Sequence, residues 1–127
     1  MPNRAKILAI DDEPDLIDLI YFHLARAGHE VRTAKNGWDA IASIKIQRPD
    51  MILLDLMLPD LDGFGLCEIL RRDPLTATIP IIIISAWASS DSRNLGLELG
   101  ALDYIIKPFN PLDLVQRVNR LMDVRAV

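Results

Sequence analysis

The sequence predicts an α/β protein built on one open, doubly wound sheet of five parallel strands, with helices covering both faces. Two observations carry this. Short apolar runs alternate with longer stretches whose apolar residues recur at helical spacing. The apolar runs also lack the polar alternation of a sheet with one wet face, so both faces of the strands must be buried.

Residues 6–10 form the first strand. Residues 13–27 place Leu16, Ile17, Ile20, Leu24 and Ala27 along one side of a helix that Gly28 ends. Glu13 and Asp15 open it, where acidic charge complements the helix dipole. Residues 30–34 are a second, more polar strand, placed at an edge. The next helix opens at Asn36 and Gly37, carries Trp38, Ile41 and Ile44, and stops before Pro49; Trp38 is expected to pack in the core with Ile41. Residues 50–54 are the third strand. In the loop that follows, Pro59 and Gly63 are punctuation and Asp60 and Asp62 are expected as turn residues. Residues 64–72 form a short helix on which Cys67 is expected to be buried. Residues 79–84 are a strand, β-branched at every position but Pro80. It and the third strand are the most uniformly apolar, so both belong inside the sheet. A helix over 89–99 ends at Gly100, a strand spans 103–106, and the last helix, 111–122, turns Leu114, Val115, Val118, Leu121 and Met122 inward.

Length and composition narrow the function. The 127 residues fit one domain, residues 1–127, and 50% hydrophobic with 25% charged residues excludes a disordered chain. A net charge of -4 argues against direct binding of a nucleic-acid backbone. The single cysteine cannot form an internal disulfide, no signal peptide pattern opens the chain, and no apolar run could span a bilayer, so a cytoplasmic location is expected. Of the 18 acidic residues 14 are Asp, the better cap, turn and Mg²⁺ ligand.

In a doubly wound sheet, sites form beyond the carboxyl ends of the strands. Asp11, Asp12 and Glu13 follow the first strand, Asp55 the third, Ser85 the fourth, and Lys107 with Pro108 the fifth. Any one Asp or Ser there reads as a helix cap. The set does not, because Lys107 is no cap and Asp55 is followed by Leu56, Met57 and Leu58. Clustered carboxylates repel unless a hard divalent cation such as Mg²⁺ offsets them. A metal, a carboxylate nucleophile, a lysine and a hydroxyl together suit phosphoryl transfer.

These stretches resemble the receiver domain of two-component response regulators: Ile10-Asp11-Asp12-Glu13-Pro14, Leu54-Asp55-Leu56-Met57-Leu58-Pro59 with Asp62-Gly63, Ile84-Ser85-Ala86, and Gly100 through Asp103-Tyr104 to Lys107-Pro108-Phe109. The resemblance covers nearly the whole chain and implies a flavodoxin-like strand order, 2-1-3-4-5. It implies that Asp55 accepts a phosphoryl group from the phosphohistidine of a sensor histidine kinase or phosphotransfer protein. Asp12, Asp55 and the Met57 carbonyl would hold Mg²⁺, with Mn²⁺ as a substitute, and Asp11 would act through water. Lys107 would pair with Asp55 at rest and with the phosphoryl group afterwards. Ser85 would turn to the phosphoryl group and Tyr104 swing inward, and the Lys107–Pro108 bond would be cis. Side chains at the positions of Met57 and Trp87 would flank the phosphoryl group and influence water access; both are apolar here, so they are expected to slow its hydrolysis.

The family signals through its fourth helix, fifth strand and fifth helix. There this chain has Leu95, Leu102, Asp103 and Arg117, a candidate surface for a downstream protein, a C-terminal output domain or a second copy. Leu95 and Leu102 replace charges usual in winged-helix regulators, which counts against that style of dimer. A Mg²⁺-dependent phosphatase with an Asp nucleophile is the competing reading. It usually needs an acid/base Asp two residues on, where this chain has Met57, so no turnover of an external substrate is expected.

Overall fold

The computed structural model describes residues 4–126, and side chains through Asp123. In chain order the elements are β1 (Lys6–Ile10), α1 (Pro14–Arg26), β2 (Glu30–Ala34), α2 (Gly37–Ile46), β3 (Met51–Leu54), α3 (Gly63–Arg72), β4 (Ile81–Ser85), α4 (Ser90–Glu98), β5 (Asp103–Ile106) and α5 (Pro111–Ala126). The strands form one parallel sheet in the order β2-β1-β3-β4-β5, with the polar strand at an edge and β3 inside.

Two cores explain why the strands are apolar at successive positions. Leu8, Ile10, Ile52, Leu54, Ile81 and Ile83 face Ala40 and Ile44 of α2 and Leu66, Cys67 and Leu70 of α3. The alternate residues Ile7, Ala9, Met51, Leu53, Ile82, Ile84 and Ile105 face Ile17, Ile20 and Leu24 of α1 and Leu114, Val118 and Met122 of α5. Each Leu, Ile, Val or Met among them contributes about 1.5–3 kcal/mol by leaving water. Burial also pushes the Cys67 thiol up to about 11, so it is packing rather than a nucleophile.

The ends of the elements follow from local chemistry. Pro14 occupies the first turn of α1, where its missing N–H costs nothing, and Gly28 takes φ +98 after the helix. The strand expected from residue 79 begins at Ile81, because Pro80 has no N–H to give the ladder; its carbonyl accepts from the Ile52 N–H at 2.9 Å. Ser85 is the last residue of that strand rather than the first beyond it. At the other edge of the sheet, buried His29 ties three elements together. Its Nδ1 accepts from the Ala5 N–H at 3.1 Å and its Nε2 lies 2.7 Å from Asn119 Oδ1 on α5.

Two long-range contacts hold the helices in place. Asp60, expected as a turn residue, caps α2 from another loop: its carboxylate accepts from the N–H groups of Gly37 at 2.8 Å and Trp38 at 3.1 Å. Partial desolvation works to raise its pKa, but these bonds outweigh it and hold the carboxyl below the usual range. Arg71, near the end of α3, donates to four backbone carbonyls. Nη1 bonds Ala77 and Ile79, Nε bonds Leu99 at 3.3 Å, and Nη2 bonds Gly100 at 2.7 Å.

Trp38 is not core. It is 59% exposed, because the inward side of α2 runs through Gly37, Ala40 and Ile44. That side has no space to spare, since a Cβ at Gly37 would stand 2.7 Å from Leu61 Cβ.

Candidate phosphoacceptor site

Parallel register brings the strand ends to one rim. Ile10 is level with Ala34 and Leu54, Leu54 with Ile83, and Ser85 with Ile106. The residues that follow therefore converge. The β1–β3 ladder continues one step, with Asp55 N–H donating to the Ile10 carbonyl at 2.9 Å, so Asp11 and Asp55 emerge side by side.

Asp11 and Asp55 are buried, Asp12 is exposed, and a carboxylate oxygen from each lies within 4.8 Å of the others. The Lys107 ammonium reaches all of the inner edge: 2.9 Å to Asp11 Oδ2, 3.3 Å to Glu13 Oε1 and 3.4 Å to Asp55 Oδ2. Its shortest contact is thus with Asp11, where the sequence expectation was Asp55. The other oxygens are fixed by backbone: Asp11 Oδ1 accepts from the Glu13 N–H at 3.0 Å and Asp55 Oδ1 from the Met57 N–H at 3.3 Å. Burial, then the charge of Asp11, raises the Asp55 pKa against the opposing pull of Lys107 and the Met57 N–H. Burial works to lower the Lys107 pKa, but the hydrogen bond and charge of Asp11, with Asp55 and Glu13, outweigh it and leave the ammonium secure.

Four carboxylates, those of Asp11, Asp12, Glu13 and Asp55, gather around one ammonium, so the site remains negative and its donors are all oxygen. That fits a hard divalent cation of the Mg²⁺ type, which accepts few carboxylates and keeps waters.

Ser85 is fully buried, and its Oγ accepts from the Trp87 N–H at 3.0 Å. Tyr104 is 3% exposed and its hydroxyl donates to the Trp87 carbonyl at 2.6 Å. One peptide segment thus joins the two expected switch residues, and Tyr104 is already inside. The Lys107–Pro108 bond is cis. Trp87 and Met57, 38% and 54% exposed, line an open depression with Asp12 and Leu58 beside the carboxylates. The Trp87 ring lies 6.1 Å from that of Phe64 on α3, a neighbour that no sequence signal announces.

Leu95 and Leu97 on α4, Leu102 in the connection that follows and Ile106 on β5 are exposed. Asp103 and Arg117 are paired with each other, both carboxylate oxygens lying 3.1 Å from Arg117 Nη1, and Arg117 Nε also meets Asp113 at 3.1 Å.

Comparison with known proteins agrees with this geometry. Residues 7–119 match the model of the response regulator receiver domain. The chain belongs to this family. Receiver domains are the signal-receiving parts of two-component systems. The chain is 45% identical over 116 residues to the phosphate regulon transcriptional regulatory protein PhoB of Pseudomonas aeruginosa, covering 91% of this chain and 51% of that protein. It is 41% identical over 117 residues to the alkaline phosphatase synthesis transcriptional regulatory protein PhoP of Bacillus subtilis, covering 92% and 48%. The chain therefore spans about half the length of these curated relatives. Among solved structures, the receiver domain of Francisella response regulator 1452 superposes with a TM-score of 0.90 at 34% identity, covering 96% of this chain and 99% of that one. The chemotaxis response regulator CheY4 of Vibrio cholerae gives 0.87 at 31%, covering 93% and 98%. Among the described residues no helix is long and apolar enough to cross a membrane.

Proposed function

We propose that this receiver accepts a phosphoryl group on Asp55 from a phosphohistidine of a sensor histidine kinase or phosphotransfer protein. The observation that carries this reading is the Asp55 carboxylate, buried on the rim between the Lys107 ammonium and the carboxylates of Asp11 and Asp12. An Asp55 oxygen attacks phosphorus, the P–O bond forms as the P–N bond breaks, and the imidazole leaves with the electron pair. Asp11, Asp12, Asp55 and the Met57 carbonyl would hold Mg²⁺ or Mn²⁺, which supplies charge neutralisation to the transferring phosphoryl oxygens. Lys107 adds a second positive charge from the β5 side. Ser85 gives up the Trp87 N–H and donates its own hydroxyl to a phosphoryl oxygen. That turn disturbs the segment to which Tyr104 is bonded, and so carries the new charge to the face of α4, β5 and α5.

Leu95, Leu102, Asp103 and Arg117 lie on that face, which we assign to a downstream protein, an output domain or a second copy. The chain acts in the cytoplasm as a phosphoacceptor, turns over no external substrate and makes no direct contact with nucleic acid.

Incubation with Mg²⁺ and acetyl phosphate tests the reading. Intact mass shows one phosphoryl adduct, and peptide mapping puts it on Asp55. A folded protein that takes no adduct, or takes it elsewhere, overturns the assignment.

Trp87 and Met57 shield the aspartyl phosphate from water. Trp87→Ala shortens the phosphoryl lifetime several-fold without slowing adduct formation, measured by decay of the adduct after donor removal. An unchanged lifetime would mean that the indole faces solvent or a partner only.

A further inference from the structure

One surface lies away from the phosphoacceptor site and from the α4–β5–α5 face. Between α2 and α3 runs an apolar groove. Its upper part, about 300 Å³, is lined by Trp38, Ile41, Lys45, Ile69 and Asp73, among others. It continues into a second depression of about 500 Å³ bordered by Arg48, Pro74 and Leu75. Trp38, Ile69 and Leu75 are 59%, 41% and 76% exposed, a large apolar strip for a chain of net charge -4. Trp38, Ile41 and Lys45 stand on one stripe of α2, which forms one wall. Ile69 and Asp73 come from α3 and its end, which form the other.

We propose that a second copy of this chain covers the groove, in a two-fold symmetric dimer built from the α2–α3 faces. The occupant is set by charge. Lys45 on one wall and Asp73 on the other are both exposed and carry opposite charges, and neither is in an ion pair among the described residues. Asp73 spends only Oδ1, on the Leu75 N–H at 2.9 Å. A two-fold axis through the groove sets the α2 wall of one copy against the α3 wall of the other, so each Lys45 meets the partner's Asp73, twice. The same operation keeps each residue's place along the groove, so Trp38 of one copy lies over the α3 wall of the other at its own end, the end that Ile69 lines. An exposed Trp set in an apolar surround is the residue type that dominates such contacts. A partner of one charge sign would leave one of these two walls opposed by like charge. A second copy answers both.

The surface also has a route to the chemistry. The Trp38 N–H is bonded to Asp60, which lies in the same β3–α3 loop as Met57, two residues beyond Asp55. Pairing therefore steadies the loop that borders the phosphoacceptor.

Sedimentation velocity over a concentration series tests the dimer. The native chain associates with rising concentration. Trp38→Ala, Lys45→Glu and Asp73→Lys each weaken association at least ten-fold, and the double exchange Lys45→Glu with Asp73→Lys restores it to near the native value. Circular dichroism and adduct formation with acetyl phosphate stay as in the native chain, which separates this proposal from the assignment of Asp55. A monomer at every concentration overturns the proposal. So does a dimer that survives Trp38→Ala but dissociates with Leu102→Arg, or a double exchange that fails to restore association while the protein remains folded.

Discussion

Asp55→Asn gives a protein that takes no phosphoryl group from acetyl phosphate and melts at a higher temperature than the native chain at pH 7. The first effect is total, because the amide has no nucleophilic oxygen to offer. The second follows from linkage. Desolvation, then the charge of Asp11, sets the folded pKa of Asp55 above its ordinary value of 3.8, while Lys107 and the Met57 N–H only partly oppose the shift. An acid of that kind contributes stability that is fully present below its unfolded pKa and is lost as pH rises through the folded pKa. Once the pH has risen through the folded pKa, the Asp55 charge sits in an unfavourable place, and Asn relieves it by an amount worth a few degrees in a chain of this size. Melting curves from pH 7 downward, in chelated buffer, show the gap narrowing as pH approaches the ordinary carboxylate value. Added Mg²⁺ raises the melting temperature of the native chain more than that of the variant, which has lost a ligand. Equal melting at pH 7 would mean that Lys107 compensates Asp55 completely.

Gly63→Ala is the most damaging small substitution near the site. A Cβ there would stand 2.5 Å from Leu56 Cα and 3.0 Å from the carbonyl oxygens of Asp55 and Leu56. All three neighbours are backbone and cannot turn aside. The first turn of α3 is also tied to this segment by the Gly63 N–H, which donates to the Leu56 carbonyl at 3.1 Å. The added methyl must push apart the start of α3 and Leu56, the residue that follows Asp55. The expected cost is about 3 kcal/mol, the upper part of the range for overpacking. Gly65→Ala is the control: the nearest atom to its Cβ is Asp62 Cβ at 3.9 Å, so the helix gains up to about 1 kcal/mol from the better helix former. Urea unfolding of both variants measures the difference, and acetyl phosphate labelling shows Gly63→Ala phosphorylated more slowly even where it is fully folded. A Gly63→Ala stability equal to that of the native chain would show that the loop yields freely.

The strands and their order of burial were legible because apolar residues at successive positions have one cheap explanation, a sheet covered on both faces. Asp11, Asp55, Ser85 and Lys107 were legible because each ends or follows a strand, and parallel register turns four places in the chain into one place in space. Trp38 was misread because helical spacing with Ile41 does not say which side of α2 meets the sheet; Gly37, Ala40 and Ile44 decide that. Asp60 was read locally as a turn residue, yet its partners Gly37 and Trp38 lie on another element. The preference of Lys107 for Asp11 over Asp55 is a matter of half an ångström between neighbouring carboxylates, 2.9 against 3.4 Å, below anything a residue pattern encodes.

Arg71 gives α4 the mechanics of a lever. Its guanidinium grips the carbonyls of Leu99 and Gly100, just past the end of that helix, while among the described residues the other end, at Ser89 and Ser90, is capped by its own Ser89 hydroxyl. Gly96 is the one buried residue along the shaft, with Ile83 and Tyr104 beneath it as the bearing. With the fulcrum fixed, a tilt of about 10° moves the free end of a nine-residue helix by roughly 2 Å. The free end begins just beyond Trp87 and Ala88, so the tip that such a tilt would move is the one nearest the proposed phosphorylation site on Asp55.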